Sequence, residues 1–197
     1  MSIGFDTATT LTSTKVTALA GQGFSFAGRY LTGSYAMTKA EVKAISAKMG
    51  IISIFERGNS PTYFTASQGS IDAAAAISAA KSLGQASGTP IYMCVDFDAT
   101  ASQITSNIKP YFNAAKLTFD TASLNTNNYR LGIYGSKRVL KAFEGICPYR
   151  WLVDNSWGSG APDYTNYNIR QYKWNVVVSG IKIDYNDTKG AIGSWKI

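Results

Sequence analysis

Strand-like and helix-like segments alternate along residues 3–143, and this alternation constrains the fold more than any single motif. Apolar residues recur with period two in the strand-like segments and with helical spacing between them. Strands that alternate with helices form parallel sheets with right-handed crossovers. Five such repeats precede three helix-poor strands, and eight strands are enough to close a small barrel. The sequence therefore predicts an α/β, TIM-like barrel with eight strands and about five flanking helices, and we expect residues 1–197 to form one domain.

Periodicity and capping residues set the expected limits of these elements. Thr38 with Glu41 and Thr100 with Gln103 have the spacing of capping boxes, and Pro110 is expected to bend its helix. The predicted strands are 3–6, 24–31, 51–56, 91–98, 130–134, 151–154, 168–172 and 180–186. The predicted helices are 13–20, 38–49, about 70–83, about 100–124 and a short helix after Ser136.

The strand predicted at 91–98 carries two carboxylates. One face of this strand carries Tyr92, Cys94, Asp96 and Asp98. Tyr92 and Cys94 indicate that this face points into the protein interior. The Cα atoms of Asp96 and Asp98 would be roughly 6–7 Å apart, close enough for one charge to raise the pKa of the other group. Such a pair can supply a general acid and a charge-stabilising partner. Asp98 alone is explained equally well as a turn residue or a helix N-cap.

Other predicted strands also end in polar residues. In a parallel barrel the carboxyl ends of the strands form one rim, where barrel enzymes carry their active sites. Six of the 12 acidic residues end predicted strands, whereas purely structural acids would be scattered over loops and helix faces. Aromatic rings near the same ends suit contact with sugar rings, although each ring alone also fits core or loop packing. The polar residues predicted at this rim are Asp6, Arg29, Glu56, Asp96, Asp98, Tyr134, Asp154 and Asp184, and the aromatic residues are Tyr30, Tyr63, Tyr134, Trp157, Tyr164 and Tyr172.

The composition limits which side chains can carry out catalysis or bind a ligand. The chain has 19 basic and 12 acidic residues and no histidine, which excludes His-dependent nucleophile systems and His-based zinc sites. Acid–base catalysis would then fall to carboxylates, Tyr or Lys. The net charge of +7 suits an anionic polymer such as bacterial wall, but no basic run interleaved with aromatics marks a nucleic-acid surface. Phosphate-cradling glycine loops are absent, so we expect neither a nucleotide enzyme nor a cofactor.

Location is only weakly constrained by the sequence. No stretch reaches the roughly 18–20 apolar residues of a membrane span, and a strand-like segment begins soon after Met1 without a basic and apolar leader. We therefore expect a protein that is secreted or acts on cell wall by a route without a visible signal peptide, with a cytoplasmic location left open. Cys94 and Cys147 are expected to be free thiols, and the chain is expected to be a monomer.

Several strand-end motifs share a pattern with a known family. They are Gly4-Phe5-Asp6, Val95-Asp96-Phe97-Asp98, Gly132-Ile133-Tyr134, Arg170-Gln171-Tyr172 and Ile183-Asp184-Tyr185-Asn186. This order resembles the family 25 glycoside hydrolases, the lysozyme-like muramidases of phage and bacteria. Gly28-Arg29-Tyr30 and Glu56-Arg57-Gly58 are more similar to a sister group, the glycoside-hydrolase-like domains of unknown function. The resemblance covers nearly the whole chain and implies a barrel of five strand–helix units plus three strands.

The resemblance also implies roles for individual residues. Asp96 corresponds to the first acid of the central pair and Asp98 to the second, where muramidases carry Glu as the general acid. Asp is one methylene shorter, which sets the proton donor back by about 1 Å, and such a misplacement can cost about 10²-fold in rate. Glu56 is the reserve acid because it has the reach that Asp98 lacks. The expected substrate-binding residues are Asp6, Arg29, Tyr30, Tyr134, Asp154, Trp157, Gln171 and Asp184.

These observations lead to three hypotheses. The first is a glycoside hydrolase acting on peptidoglycan or a related N-acetylated glycan, in which Asp98 protonates the leaving oxygen and neighbouring carboxylates stabilise an oxocarbenium-like state. The second is a non-catalytic cell-wall glycan-binding module on the same barrel, which the shortened acid favours. The third is a hard-cation site for Mg²⁺ or Ca²⁺ formed by Asp6, Asp96, Asp98 and Asp184. The first hypothesis requires no metal.

Overall fold

A computed structural model describes residues 2–197 and contains a closed barrel of eight strands in sequential order. The predicted eight-stranded, TIM-like barrel is therefore confirmed. The strands are β1 (Ile3–Asp6), β2 (Phe26–Tyr30), β3 (Gly50–Phe55), β4 (Pro90–Cys94), β5 (Arg130–Gly135), β6 (Tyr149–Val153), β7 (Ile169–Val178) and β8 (Ile181–Thr188).

Five helical segments flank the barrel, as expected. They are α1 (Ser13–Gly21), α2 (Lys39–Ser46), α3 (Ala66–Leu83), the continuous helix formed by α4 (Ala101–Gln103), a π-helical turn (Ile104–Ile108) and α5 (Lys109–Asp120), and α6 (Lys137–Ala142); a short 3₁₀ turn covers Pro61–Tyr63. Hydroxyl side chains accept the backbone N–H three residues ahead at the start of five helices, as N-caps do. These N-caps are Thr12, Thr38, Thr65, Thr100 and Ser136.

Only one of the two predicted capping boxes forms. Thr100 and Gln103 make both reciprocal hydrogen bonds. Thr38 accepts the N–H of Glu41, but the Glu41 carboxylate accepts instead from Arg29 Nε, at 2.8 Å, and from the Leu11 N–H, at 2.9 Å. A charge-assisted bond to a guanidinium is stronger than a bond to a neutral backbone N–H, so Glu41 turns toward Arg29.

The helix predicted at 100–124 ends earlier than expected and contains a π turn. Pro110 has no N–H, and its ring would clash with the carbonyl of Ser106 in a regular helix. The wider π turn Ile104–Ile108 lies directly before Pro110 and accommodates it. The helix ends at Asp120 because Thr121 adopts an extended conformation.

β8 runs against its neighbours, which corrects the expectation of an all-parallel sheet. β1 to β7 pair in parallel, whereas β8 is antiparallel to both β7 and β1. Ser179 and Gly180 join β7 to β8, and both have positive φ, as in the tight turns that connect antiparallel strands. The rim therefore meets the middle of β8, where Asp184 pairs in register with Asp6.

Two apolar layers pack against the barrel wall, one on its outer face and one on its inner face. Outward-facing residues such as Phe5, Met93 and Ile133 pack beneath the helices. Inward-facing residues fill the barrel itself, namely Phe26, Ile52, Ile54, Tyr92, Cys94, Trp151 and Ile169. Gly28 makes this filling possible, because a Cβ there would lie 2.7 Å from Trp151 Cη2 and 2.8 Å from the Cβ of Asp6. These side chains consequently fill the barrel below its rim.

Two further expectations concern the cysteines and membrane spans. Cys94 and Cys147 are both buried free thiols, as predicted. Across residues 2–197, none of the helices combines the length and apolar character that crossing a bilayer demands.

Candidate active site

A cavity of about 100 Å³ opens at the barrel rim between the ends of the parallel strands and the middle of β8. We call it the central cavity. Four carboxylates face it together with aromatic, amide and small apolar side chains. Its lining consists of Asp6, Tyr30, Ile54, Glu56, Cys94, Asp96, Tyr134, Trp151, Gln171 and Asp184. The structure thus brings together seven of the residues that the sequence analysis selected: Asp6, Tyr30, Glu56, Asp96, Tyr134, Gln171 and Asp184.

The central cavity is the middle of a longer groove. On one side it shares Tyr30, Glu56 and Asp96 with a pocket of about 430 Å³, here called the β3 arm, which the loops after β2 and β3 enclose. On the other side it shares Asp6, Tyr30 and Asp184 with a pocket of about 200 Å³, here called the hairpin arm, which lies against the β7–β8 hairpin. An extended ligand lying along the groove would therefore pass the carboxylates at its midpoint.

Asp6 is the most deeply buried of the four acids. It ends β1 and is only 7% exposed. Its Oδ2 accepts hydrogen bonds from Gln171 Nε2, at 2.9 Å, and from Asn186 Nδ2, at 2.7 Å. Burial raises the pKa of Asp6 to about 7; the charge of the neighbouring Asp184 carboxylate adds to this rise, and the hydrogen bonds from the two amides oppose it.

Fixed amide groups hold Asp6 in place. Gln171 Oε1 accepts from the Tyr134 hydroxyl at 2.9 Å and from Trp174 Nε1 at 2.8 Å, so its NH₂ group must face the acids. That NH₂ group also lies 3.4 Å from Asp184 Oδ2. Asn186 is oriented in the same way, because its Oδ1 accepts from Trp151 Nε1 at 2.8 Å. The two amides consequently hold Asp6 at a defined position in the cavity wall.

Glu56 follows β3 directly and is half-buried at the junction of the central cavity and the β3 arm. Burial raises its pKa to about 7, and the charge of Asp96 contributes to that rise. A carboxyl group with such a pKa is partly protonated at neutral pH and can donate a proton, which is the requirement for a general acid.

Asp96 and Asp184 complete the acidic cluster. Burial raises the pKa of Asp96, the Tyr134 hydroxyl opposes that rise, and the Asp184 charge contributes to it. Burial likewise raises the pKa of Asp184, against the effect of the Asn175 N–H, which donates to Asp184 Oδ1 at 2.6 Å. Four acids so close together cannot all be charged without mutual repulsion, so the cluster retains protons at a pH where isolated carboxylates lose them.

Asp98 does not reach the cavity, contrary to the expectation that it is the general acid. β4 ends at Cys94, and the alternation continues beyond it only as far as Asp96, so it does not direct Asp98 inward. Its exposed carboxylate accepts the Gly158 N–H at 2.8 Å and lies 3.7 Å from Arg138 Nη1. Asp98 therefore anchors the loop between β6 and β7.

Arg29 also differs from its expected role in substrate binding. It is fully buried on the outer face of β2, because its neighbours Gly28 and Tyr30 take the inner positions. Its guanidinium pairs with Glu41 and donates to the carbonyls of Thr7 and Tyr35. These carbonyls belong to the loops that border the two arms, so Arg29 supports the groove from behind.

Asp154 and Trp157 are likewise outside the residues that line the groove. Asp154 is exposed and pairs with Arg170 at 3.3 Å. Trp157 is half-buried in the loop after β6. Asp154 directly follows β6, which ends at Val153, and Trp157 lies in the loop beyond it.

Sequence reasoning missed several residues that hold the site. Trp174 and Asn175 contact Gln171 and Asp184, yet they lie beyond the predicted end of their strand at 172. The Ser179-Gly180 turn between alternating apolar residues was the signal that could have extended this strand to Val178. Asn186 was noted only as part of a motif, although it binds Asp6 directly.

The hard-cation hypothesis has no ligand set in this structure. Within residues 2–197, no group of three or more His, Cys, Asp or Glu side chains is arranged so that it could hold a metal ion. Asp98 lies apart from the other three proposed ligands, so it cannot share a cation with them.

A closed barrel with a carboxylate-lined groove at its rim has the type of site that glycoside hydrolases use. Comparison with known families agrees: residues 17–188 match the Rv2525c-like, glycoside hydrolase-like domain, and the chain belongs to this family. A curated relative, the uncharacterized protein YbfG of Bacillus subtilis, is 35% identical over 198 residues, which cover 89% of this chain and 26% of YbfG. The chain spans about a quarter of the length of the curated relatives it matches.

Solved structures share the fold. The Tat-secreted protein Rv2525c of Mycobacterium tuberculosis, in complex with L-tartrate, matches 98% of both chains with a TM-score of 0.82 and 19% identity. The spore cortex lytic enzyme SleM of Clostridium perfringens matches 99% of this chain and 69% of its own, with a TM-score of 0.63 and 11% identity. The autolysin LytC of Streptococcus pneumoniae, in complex with a synthetic peptidoglycan ligand, matches 94% of this chain and 46% of its own, with a TM-score of 0.63 and 13% identity.

Proposed function

We propose that this chain is a glycoside hydrolase that cleaves peptidoglycan or a related N-acetylated glycan, with Glu56 as the general acid. The observation that carries the proposal is the half-buried Glu56, whose pKa is raised to about 7, at the midpoint of an open groove lined by three further acids. Two neighbours in fold, a spore cortex lytic enzyme and an autolysin bound to a peptidoglycan ligand, support a wall glycan as the substrate class.

Five side chains of the cavity have roles in this mechanism. Glu56 donates its proton to the leaving glycosidic oxygen, and Asp6, Asp96 and Asp184 stabilise the positive charge that develops on the sugar ring. The nucleophile is either one of these carboxylates or the acetamido group of the substrate itself; it bonds to the anomeric carbon as the glycosidic bond breaks, and water then displaces it and returns a proton to Glu56. Tyr30 faces all three compartments of the groove and offers a flat ring to a sugar.

The site of action follows from the same substrate. A hydrolase of wall glycan works outside the cytoplasm, and the Tat-secreted neighbour Rv2525c is consistent with export. The net charge of +7 favours adsorption to an anionic wall polymer.

Release of reducing ends from purified peptidoglycan tests the assignment. We expect Glu56→Gln to lower the rate by about 10²- to 10⁴-fold, the usual contribution of a general acid. The matched control is Asp98→Asn, which also replaces a carboxylate by its amide but lies outside the cavity, and we expect it to remain within a few-fold of wild type. Equal rates for both variants, or a larger loss for Asp98→Asn, would overturn the assignment of Glu56.

The second candidate is a non-catalytic glycan-binding module. It is favoured by the replacement of the muramidase Glu by Asp98 and by the position of Asp98 away from the cavity. A binding module would co-sediment with wall, release no soluble fragments, and lose binding when Tyr134 is changed to Ala. Release of reducing ends that depends on Glu56 would exclude it.

A further inference from the structure

Resting on the proposed function, we propose that Arg57 is a specificity residue that binds a carboxylate on the sugar in the β3 arm. The ligand class is then a glycan in which carboxylated sugars flank the bond to be cleaved, as opposed to a neutral polymer such as chitin.

Arg57 lines the β3 arm beside Glu56, and its side chain is 40% exposed. Its guanidinium carbon lies 5.3 Å from the centre of the Phe55 ring, which holds the planar group in place. Within residues 2–197 its one ion pair is with Asp72, at 3.6 Å, which is beyond hydrogen-bond distance. Arg57 therefore keeps its N–H donors for a ligand, and a guanidinium matches a carboxylate in geometry.

Asp72 does not neutralise Arg57 fully. The Asp72 carboxylate is completely buried and already accepts from the hydroxyls of Tyr63 and Tyr111, both at 2.7 Å, and from Gln68 Nε2 at 2.8 Å. These neutral donors satisfy Asp72 whether or not Arg57 is present. Replacement of Arg57 should consequently leave this network intact, which makes the residue suitable for substitution.

The rest of the β3 arm suits a sugar ring. Its volume of about 430 Å³ lies in the range of small-ligand sites. Tyr30 and Tyr35 contribute two rings with centroids 5.8 Å apart, and Tyr35 is 53% exposed. Aromatic faces next to a cation provide for both the apolar face and the charge of an acidic sugar.

Charge along the groove explains why the carboxylate would bind here. The central cavity holds Asp6, Glu56, Asp96 and Asp184, and a ligand carboxylate next to them would be repelled. The β3 arm also borders Glu56 and Asp96, but it adds Arg57, a cation whose donors are available. The carboxylate of an anionic sugar is thus expected to bind beside Arg57, on the side of the arm away from Asp6 and Asp184.

Titration calorimetry on a Glu56→Gln background, which prevents turnover, tests this inference. The probes are peptide-free peptidoglycan strands with free lactyl carboxylates and the same strands after methyl esterification. We expect the acid form to bind about 10- to 100-fold more tightly than the ester, the range for one charged hydrogen-bonding pair. Arg57→Gln should abolish the preference and Arg57→Lys should keep part of it. The matched control is Arg130→Gln, an exposed arginine at the opposite end of the barrel, which should keep all of it.

Equal binding of acid and ester, or a preference that survives Arg57→Gln, would overturn the role of Arg57. Failure of the proposed function would look different. If wild type releases no reducing ends but prefers the acid form through Arg57, the hydrolase assignment fails and the specificity site stands. If wild type cleaves both forms at equal rates, the hydrolase assignment stands and the specificity site fails.

Discussion

Asp6→Asn is expected to stabilise the fold at neutral pH while it impairs the site. In the folded protein the pKa of Asp6 is raised from 3.8 to about 7, mainly by burial. The folded state therefore binds this proton more tightly than the unfolded chain, and stability falls as the pH rises from about 4 to about 7. An amide at position 6 keeps the shape of the protonated acid and removes the cost of a buried charge.

The size of this effect follows from the shift in pKa. A change of about three pH units, at 1.36 kcal/mol per unit, corresponds to at most about 4 kcal/mol for wild type between pH 4 and pH 8. The variant should match wild type near pH 4 and exceed its free energy of unfolding by about 3–4 kcal/mol at pH 8. Some pH dependence remains in the variant, because Glu56, Asp96 and Asp184 also have raised pKa values.

Urea unfolding followed by tryptophan fluorescence at pH 4, 6 and 8 measures this difference. Asp98→Asn is the control for the loss of one negative charge, since Asp98 is exposed and lies outside the cavity. A difference between Asp6→Asn and wild type that stays constant with pH, or that Asp98→Asn reproduces, would refute the reasoning. In that case net charge, and not the burial of Asp6, would determine how the free energy of unfolding changes with pH.

Two predictions concern the support of the groove. Arg29→Leu leaves the buried Glu41 carboxylate without its cation and should lower the free energy of unfolding by about 3–5 kcal/mol in urea titrations, and a loss under about 1 kcal/mol would contradict this. Gly28→Ala places a Cβ against Trp151 and Asp6, so it should cost about 1–3 kcal/mol and also reduce the release of reducing ends. The control Gly21→Ala meets no atom within 4 Å and should leave both measurements nearly unchanged; similar losses in both variants would contradict the packing argument.

The barrel was predictable because local patterns mark each strand. Alternation in period two identified the positions of all eight strands, and hydroxyl N-caps at Thr38, Thr100 and Ser136 marked three of the helices between them. The direction of β8 was not predicted, since strand direction depends on the length of the connection before it. That connection is the two-residue turn at Ser179 and Gly180, whereas the predicted strands 168–172 and 180–186 left a longer connection between them.

Asp184 was placed at the rim for the wrong reason. It was expected near the carboxyl end of a parallel strand, but it lies in the middle of an antiparallel one, opposite Asp6. Because β8 runs in the opposite direction and Asp184 lies in its middle, Asp184 still reaches the rim. The prediction of the location succeeded although its structural basis was incorrect.

The alternation rule itself separates the predicted residues that reach the central cavity from those that do not. Tyr92, Cys94 and Asp96 continue one phase and reach the barrel interior together. Arg29 is out of phase with Tyr30 and faces the helices, so stricter use of the rule would have excluded it. Asp98 fails because the strand ends first, and the exact end of a strand depends on tertiary contacts that the sequence does not display.

A crystal structure of the Glu56→Gln variant with a bound N-acetylated wall oligosaccharide tests the central claim most directly. The account predicts that the sugar chain follows the groove from the β3 arm to the hairpin arm, with one glycosidic oxygen within hydrogen-bond distance of the side chain at position 56. A chain bound elsewhere on the barrel, or a glycosidic oxygen positioned beside Asp98 instead, would contradict it.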